Sequence, residues 1–97
     1  MKVGVTYHEK FGQYDLGLDH PFRGDRFVNA MRFFEEQGLF RFSQVIVLEP
    51  RSITKQDLLR VHDENYVDLI YRLAETSKPY DMETPVSPQI LEAIQLI

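Results

Sequence analysis

Val3 and Val5 alternate with small or polar neighbours near the start of the chain, which predicts a short β-strand that Gly4 weakens slightly. Residues 8–22 contain Gly12, Asp15, Gly17, Asp19 and Pro21 without apolar periodicity and read as one long loop. Phe27, Ala30, Met31 and Phe34 then fall at i, i+3, i+4 and i+7, predicting an amphipathic helix from about Arg26 to Gln37 with Gly38 as its C-cap. Val45 to Leu48 is a continuous β-branched apolar run closed by Glu49-Pro50, as in a strand buried on both faces. Thr54 with Asp57 three residues on forms a capping-box pattern for a short helix carrying Leu58, Leu59 and Val61. Asp63 caps a further helix, whose Tyr66, Leu69, Ile70, Leu73 and Ala74 share one face as far as Thr76-Ser77-Lys78-Pro79. Ser87-Pro88 starts the last helix, and its stripe of Ile90, Leu91, Ile94 and Ile97 carries no stop signal.

Two strands separated by helices indicate an α/β fold with a partial parallel sheet and flanking helices. Such sheets need both faces covered and more strands than two. Residues 1–97 therefore read as a single segment of a larger, incomplete α/β domain. The Ile90–Ile97 stripe has no evident home in so small a sheet, and self-association is its expected outlet.

Composition narrows the classes. The 97 residues are 43% hydrophobic and 27% charged, as in one ordinary globular unit, and the net charge of −4 with scattered basic residues argues against nucleic acid. The absence of cysteine removes disulfide scaffolds, thiolate zinc sites and cysteine nucleophiles together. With neither a leader-like apolar region nor a membrane-length run, the expected address is cytoplasmic, without membrane association.

The residues alone build no self-contained active site. His8, His20 and His62 lack metal-ligand spacing; His8 and His20 read as loop residues, and His62 as hydrogen-bonded to backbone between two short helices. The serines lie in no G-x-S-x-G context, and the glycines form no phosphate cradle. What remains is polar chemistry on loops. Arg23 either pairs with a loop carboxylate or stays solvated; Arg26 is either held by several acceptors or solvated; Glu83 is either a substrate-facing carboxylate or a solvated acid.

Four segments in order, V-G-V-T-Y-H (3–8), D-H-P-F-R-G-D-R (19–26), D-L-L-R-V-H-D-E-N-Y-V (57–67) and E-T-P-V-S-P-Q-I-L-E-A (83–93), resemble the N-terminal part of the histone deacetylase superfamily. That group includes acetoin-utilisation-type deacetylases and acetylpolyamine aminohydrolases. The resemblance implies the arginase/deacetylase α/β fold and zinc-dependent hydrolysis of an acetylated amine. The metal ligands, proton-transfer histidines and oxyanion-stabilising tyrosine of that family belong to segments beyond those matched here. The chain alone is thus expected to carry no zinc and no activity, and to need a C-terminal portion or another copy of itself as partner. A stand-alone interaction module derived from the fold is the competing expectation.

The resemblance carries three residues over as substrate-binding. Arg26 matches the arginine closing H-P-x-x-x-x-R, near the inner end of the acyl pocket. Glu83 stands where deacetylases of acetyl-lysine commonly have an aspartate at the pocket rim, and its E-T-x-x-S-P surroundings are more like the acetylpolyamine enzymes. The complete H-P-F-R-G-D-R is more like the acetoin-utilisation type, which leaves the substrate subclass open. Tyr7 either lines the pocket floor or packs at its strand end.

Overall fold

A computed structural model describes residues 1–97. The alternating and continuous apolar runs form β1 (Val3–Thr6) and β2 (Val45–Leu48), which pair in parallel in the register Val3–Val45 to Thr6–Leu48. The ladder continues outward through Val3 N–H to Gln44 O at 2.8 Å and Tyr7 N–H to Leu48 O at 3.1 Å. The expected burial of β2 on both faces is not met within this chain: Ile46, Val47 and Leu48 are 46%, 51% and 45% exposed. Helix α1 (Asp25–Glu36), in the crossover between the strands, packs instead on the 3-10 turns Glu9–Gln13 and Leu39–Arg41.

The segment expected to be featureless contains the first of these turns. His8 caps it by accepting the Lys10 N–H on Nδ1 at 3.0 Å, and Phe11 within it is buried, edge-on to Tyr7 and Phe27. A five-residue turn is too short to display helical periodicity, so the loop reading missed it. Gly24 ends the loop where the backbone of Gly12 presses against it. A Cβ built on Gly24 would lie 1.9 Å from the Gly12 carbonyl oxygen, so this crossing admits only glycine.

The capping signals are realised. Thr54 and Asp57 complete the reciprocal box of α2 (Lys55–Leu58). Asp63 accepts the Asn65 N–H at 2.9 Å to start α3 (Glu64–Thr76), and Ser87 accepts the Ile90 N–H at 3.1 Å to start α4 (Pro88–Ile94). Helix α4 stops three residues short of Ile97. Gln95 holds the end, its side-chain amide donating to the Tyr71 hydroxyl at 2.7 Å and its carbonyl accepting the Ile53 N–H at 2.8 Å.

The stripe expected to seek a partner is partly covered within the chain: Ile90 is buried and Leu91 and Ile94 half-buried, leaving Ile97 exposed. With Val67, Ala74, Val86 and Ala93, Ile90 forms the α3–α4 core. Lys55 pairs with Asp68 across α2 and α3, and Lys10 with Glu92 across the 3-10 turn and α4. The radius of gyration is 15.7 Å and the shortest extent 16 Å. A compact unit of this length has a radius near ~13 Å, so the molecule is a thin slab.

Candidate functional site

The long loop and the loop before α4 meet although some sixty positions separate them. Leu16–Phe22 forms one wall and Pro79, Asp81–Glu83 and Pro85 the other wall of a cleft of about 780 Å³. The first wall is closed at its neck. Leu16 N–H donates to Phe22 O at 3.0 Å, Arg23 Nε donates to the Asp15 carboxylate at 3.0 Å, and Gly17 N–H donates to the same carboxylate at 3.0 Å. The backbone N–H groups of Gly17 and Gly24, with Arg23 adding less, hold the Asp15 carboxyl below the usual aspartate range. Arg23 thus takes the paired alternative. At the tip, His20 Nδ1 accepts the Phe22 N–H at 3.0 Å and its ring lies 5.2 Å from that of Phe22.

The second wall is a tight turn. Tyr80 N–H donates to Thr84 O at 2.9 Å, and Asp81 accepts the Glu83 N–H at 2.9 Å. The Thr84 hydroxyl, and after it the Glu83 N–H, hold the Asp81 carboxyl low. The Glu83 carboxylate itself is exposed and enters no hydrogen bond or ion pair. Three acids, Asp19, Asp81 and Glu83, therefore line the cleft with no Lys or Arg among its walls.

Of the three residues carried over by resemblance, Glu83 alone lines this cleft. Arg26, on the first turn of α1, is exposed, with its guanidinium over three rings: Phe27 at 4.7 Å, Phe22 at 4.9 Å and Tyr14 at 5.8 Å. Those aromatic faces replace the several acceptors envisaged for it. It touches the cleft only through Phe22. Tyr7 sits at the strand end, half-buried, its ring 5.8 Å from Phe11. Tyr7, Phe11, Phe27, Arg26 and Phe22 make a continuous run leading to the cleft wall.

The sequence reading did not assign the cleft walls to His20, Phe22 and Asp81, or name Asp15 as the partner of Arg23. Asp15-Leu16-Gly17 and Asp81-Met82-Glu83 each place an acid two residues before the N–H it captures, and that spacing was the available signal. His62, read as bonded to backbone, is exposed and lies 5.5 Å ring-to-ring from Tyr66 instead.

Residues 20–97 match the histone deacetylase domain. The chain belongs to the histone deacetylase family. Among similar proteins are a probable deacetylase from Archaeoglobus fulgidus, 28% identical over 86 residues, and histone deacetylase 2 of Arabidopsis thaliana, 27% identical over 79. Histone deacetylase RPD3 of Saccharomyces cerevisiae is 26% identical over 72 residues. These matches cover 89%, 79% and 74% of this chain but 24%, 20% and 16% of the relatives, so the chain spans at most about a quarter of their length. No solved structure matches it. The deacetylase family suggests zinc in complete members, and the side chains here do not fit that ion: no three His, Asp or Glu converge on a point. No helix is long and apolar enough to cross a membrane.

Proposed function

We propose that this chain supplies part of the substrate-binding mouth of a zinc-dependent deacetylase acting on an acetylated amine, the metal-binding and proton-transfer residues belonging to another segment. One observation carries the reading: two loops far apart in sequence, both within or at the edge of the matched region, form a single acid-lined cleft in which Glu83 is unpaired. A carboxylate free of partners at a solvated rim attracts an ammonium group and accepts its hydrogen bonds. Acetylated polyamines, which keep a cationic chain beyond the amide, fit this mouth better than neutral amides, and acetyl-lysine is the alternative substrate. Alone, the chain hydrolyses neither.

Titration of the 97-residue chain with an acetylated polyamine and with a neutral N-alkylacetamide, followed by amide chemical shifts, tests the reading. The cationic ligand should move residues 16–22 and 79–85 and the neutral one should not. Glu83→Gln should weaken the cationic ligand by no more than about 1 kcal/mol, less at high salt. Equal, salt-independent binding of both ligands would reduce Glu83 to a group that orients the amide.

A further inference from the structure

Beside the acid-lined cleft is a second hollow of about 200 Å³, set among α2, α3 and α4. Leu58, Val67, Ile70, Ile90, Leu91 and Ile94 make its walls apolar, and no Asp, Glu, Lys or Arg lines it. Leu16 and Pro85 line both spaces, so the two adjoin. Tyr14, Tyr71 and Thr84 also line it, half-buried, the Tyr71 hydroxyl accepting from Gln95. On its exposed side the His62 imidazole and the Tyr66 hydroxyl have no hydrogen-bond partners in the chain, their rings 5.5 Å apart.

An enclosed apolar cavity of roughly 150 Å³ takes a benzene ring; this hollow is open on one side, and its aliphatic walls offer a ring the same kind of surface. The hollow here has room for such a ring and one small substituent. A charged ligand is excluded, since nothing within would compensate the ion. A donor or acceptor on the ring would find the imidazole and the phenol waiting at the solvent side.

We propose that this hollow is a binding site for a small uncharged hydroxylated aromatic, of which phenol is the simplest member. The ring lies among Ile70, Ile90 and Leu91 and the hydroxyl is directed to His62 and Tyr66. The site is distinct from the amine-binding cleft in its chemistry, and it stands whether or not that cleft binds an amine.

The test is a titration of methyl-labelled 97-residue chain with phenol and with benzene. Saturable shifts are expected at the methyl groups of Ile70, Ile90, Leu91 and Ile94, with phenol binding about five-fold more tightly than benzene, the worth of one net hydrogen bond. Combining His62→Ala with Tyr66→Phe, both at exposed positions and so compatible with folding, should remove that preference and leave benzene binding in place. Three results would overturn the proposal: no saturable shift at these methyls, shifts shared equally with Ile46 and Val47 on the bare sheet, or a preference for phenol that survives the double substitution.

Discussion

Residues 54–97 and residues 1–50 put their apolar side chains to different use. Of the six buried apolar residues, Val67, Ala74, Val86, Ile90 and Ala93 are in the helical half, and Phe11 alone is in the strand-bearing half. There, Val28, Phe33, Phe42, Ile46, Val47 and Leu48 stay largely exposed. The difference lies in what each element needs. Amphipathic helices close in sequence cover one another's stripes, as α3 and α4 do, whereas a parallel strand needs neighbours on both edges and cover on both faces. Two strands provide one shared edge.

The largest effect that would break this comparison comes from a pair of truncations, one in each half. Ile90→Ala should cost about 3 kcal/mol, because a buried side chain leaves a cavity as well as lost contacts. Val47→Ala, on the half-bare sheet, should cost no more than about 0.5 kcal/mol. Urea denaturation followed by circular dichroism measures both, and equal costs would mean that the sheet is covered in solution. Were the costs equal, the cover would be a second copy of the chain, since bare β-branched faces associate readily, and Val47→Lys would then lower the sedimentation coefficient while leaving the helical half intact.

Much of this was legible in the sequence because its signals are local. Thr54 and Asp57, Asp63, Ser87-Pro88 and Gly38 each fix a helix end through a bond within a few residues, and each does so here. The positive φ of 76° at Gly38 is the one that a residue without Cβ adopts cheaply. The stop of α4 was not legible, because Gln95 is held by Tyr71 and Ile53, residues more than twenty positions away. The candidate site shows the same division. Glu83 was visible from its sequence surroundings, but its meeting with His20 and Phe22 depends on how the 3-10 turn Glu9–Gln13 packs on α1 and α4 and α3 on α4.

A smaller effect sharpens the comparison at the joint between the halves. The crossing of Gly12 and Gly24 sets the 3-10 turn that carries both Phe11, which faces α1, and Lys10, which reaches Glu92 on α4. Gly24→Ala puts a methyl into the Gly12 carbonyl, and that contact is backbone on backbone, so neither side can rotate away. The expected loss is about 2 kcal/mol. Hydrogen exchange should locate it: protection falls at Phe11 and Tyr14 while α3 is unaffected. Uniform loss across both halves would mean that they unfold as one unit.

The smallest effect concerns acid, and it falls on both halves. The Asp57 carboxyl is held below its ordinary 3.8 first by the Thr54 N–H and then by the Thr54 hydroxyl, as Asp15 is by Gly17 and Gly24 and Asp81 by Thr84 and Glu83. A folded pKa below the unfolded one means that the folded chain binds fewer protons, so these groups stabilise it fully above the unfolded value and progressively less as pH falls through the folded one. Stability should thus be level from neutral pH to about 5 and decline below about 4. All three carboxylates face solvent, which keeps each contribution small. Both halves should respond alike to side-chain removal: Thr54→Ala keeps the Thr54 N–H that acts first on Asp57, and Arg23→Gln keeps the Gly17 and Gly24 N–H groups that act first on Asp15, so most of the acid decline should persist at the α2 amides and at the Asp15 loop. An Arg23→Gln variant that lost the whole pH dependence of the Gly17 and Phe22 amides would show that the ion pair, rather than the backbone, fixes the loop that walls the cleft.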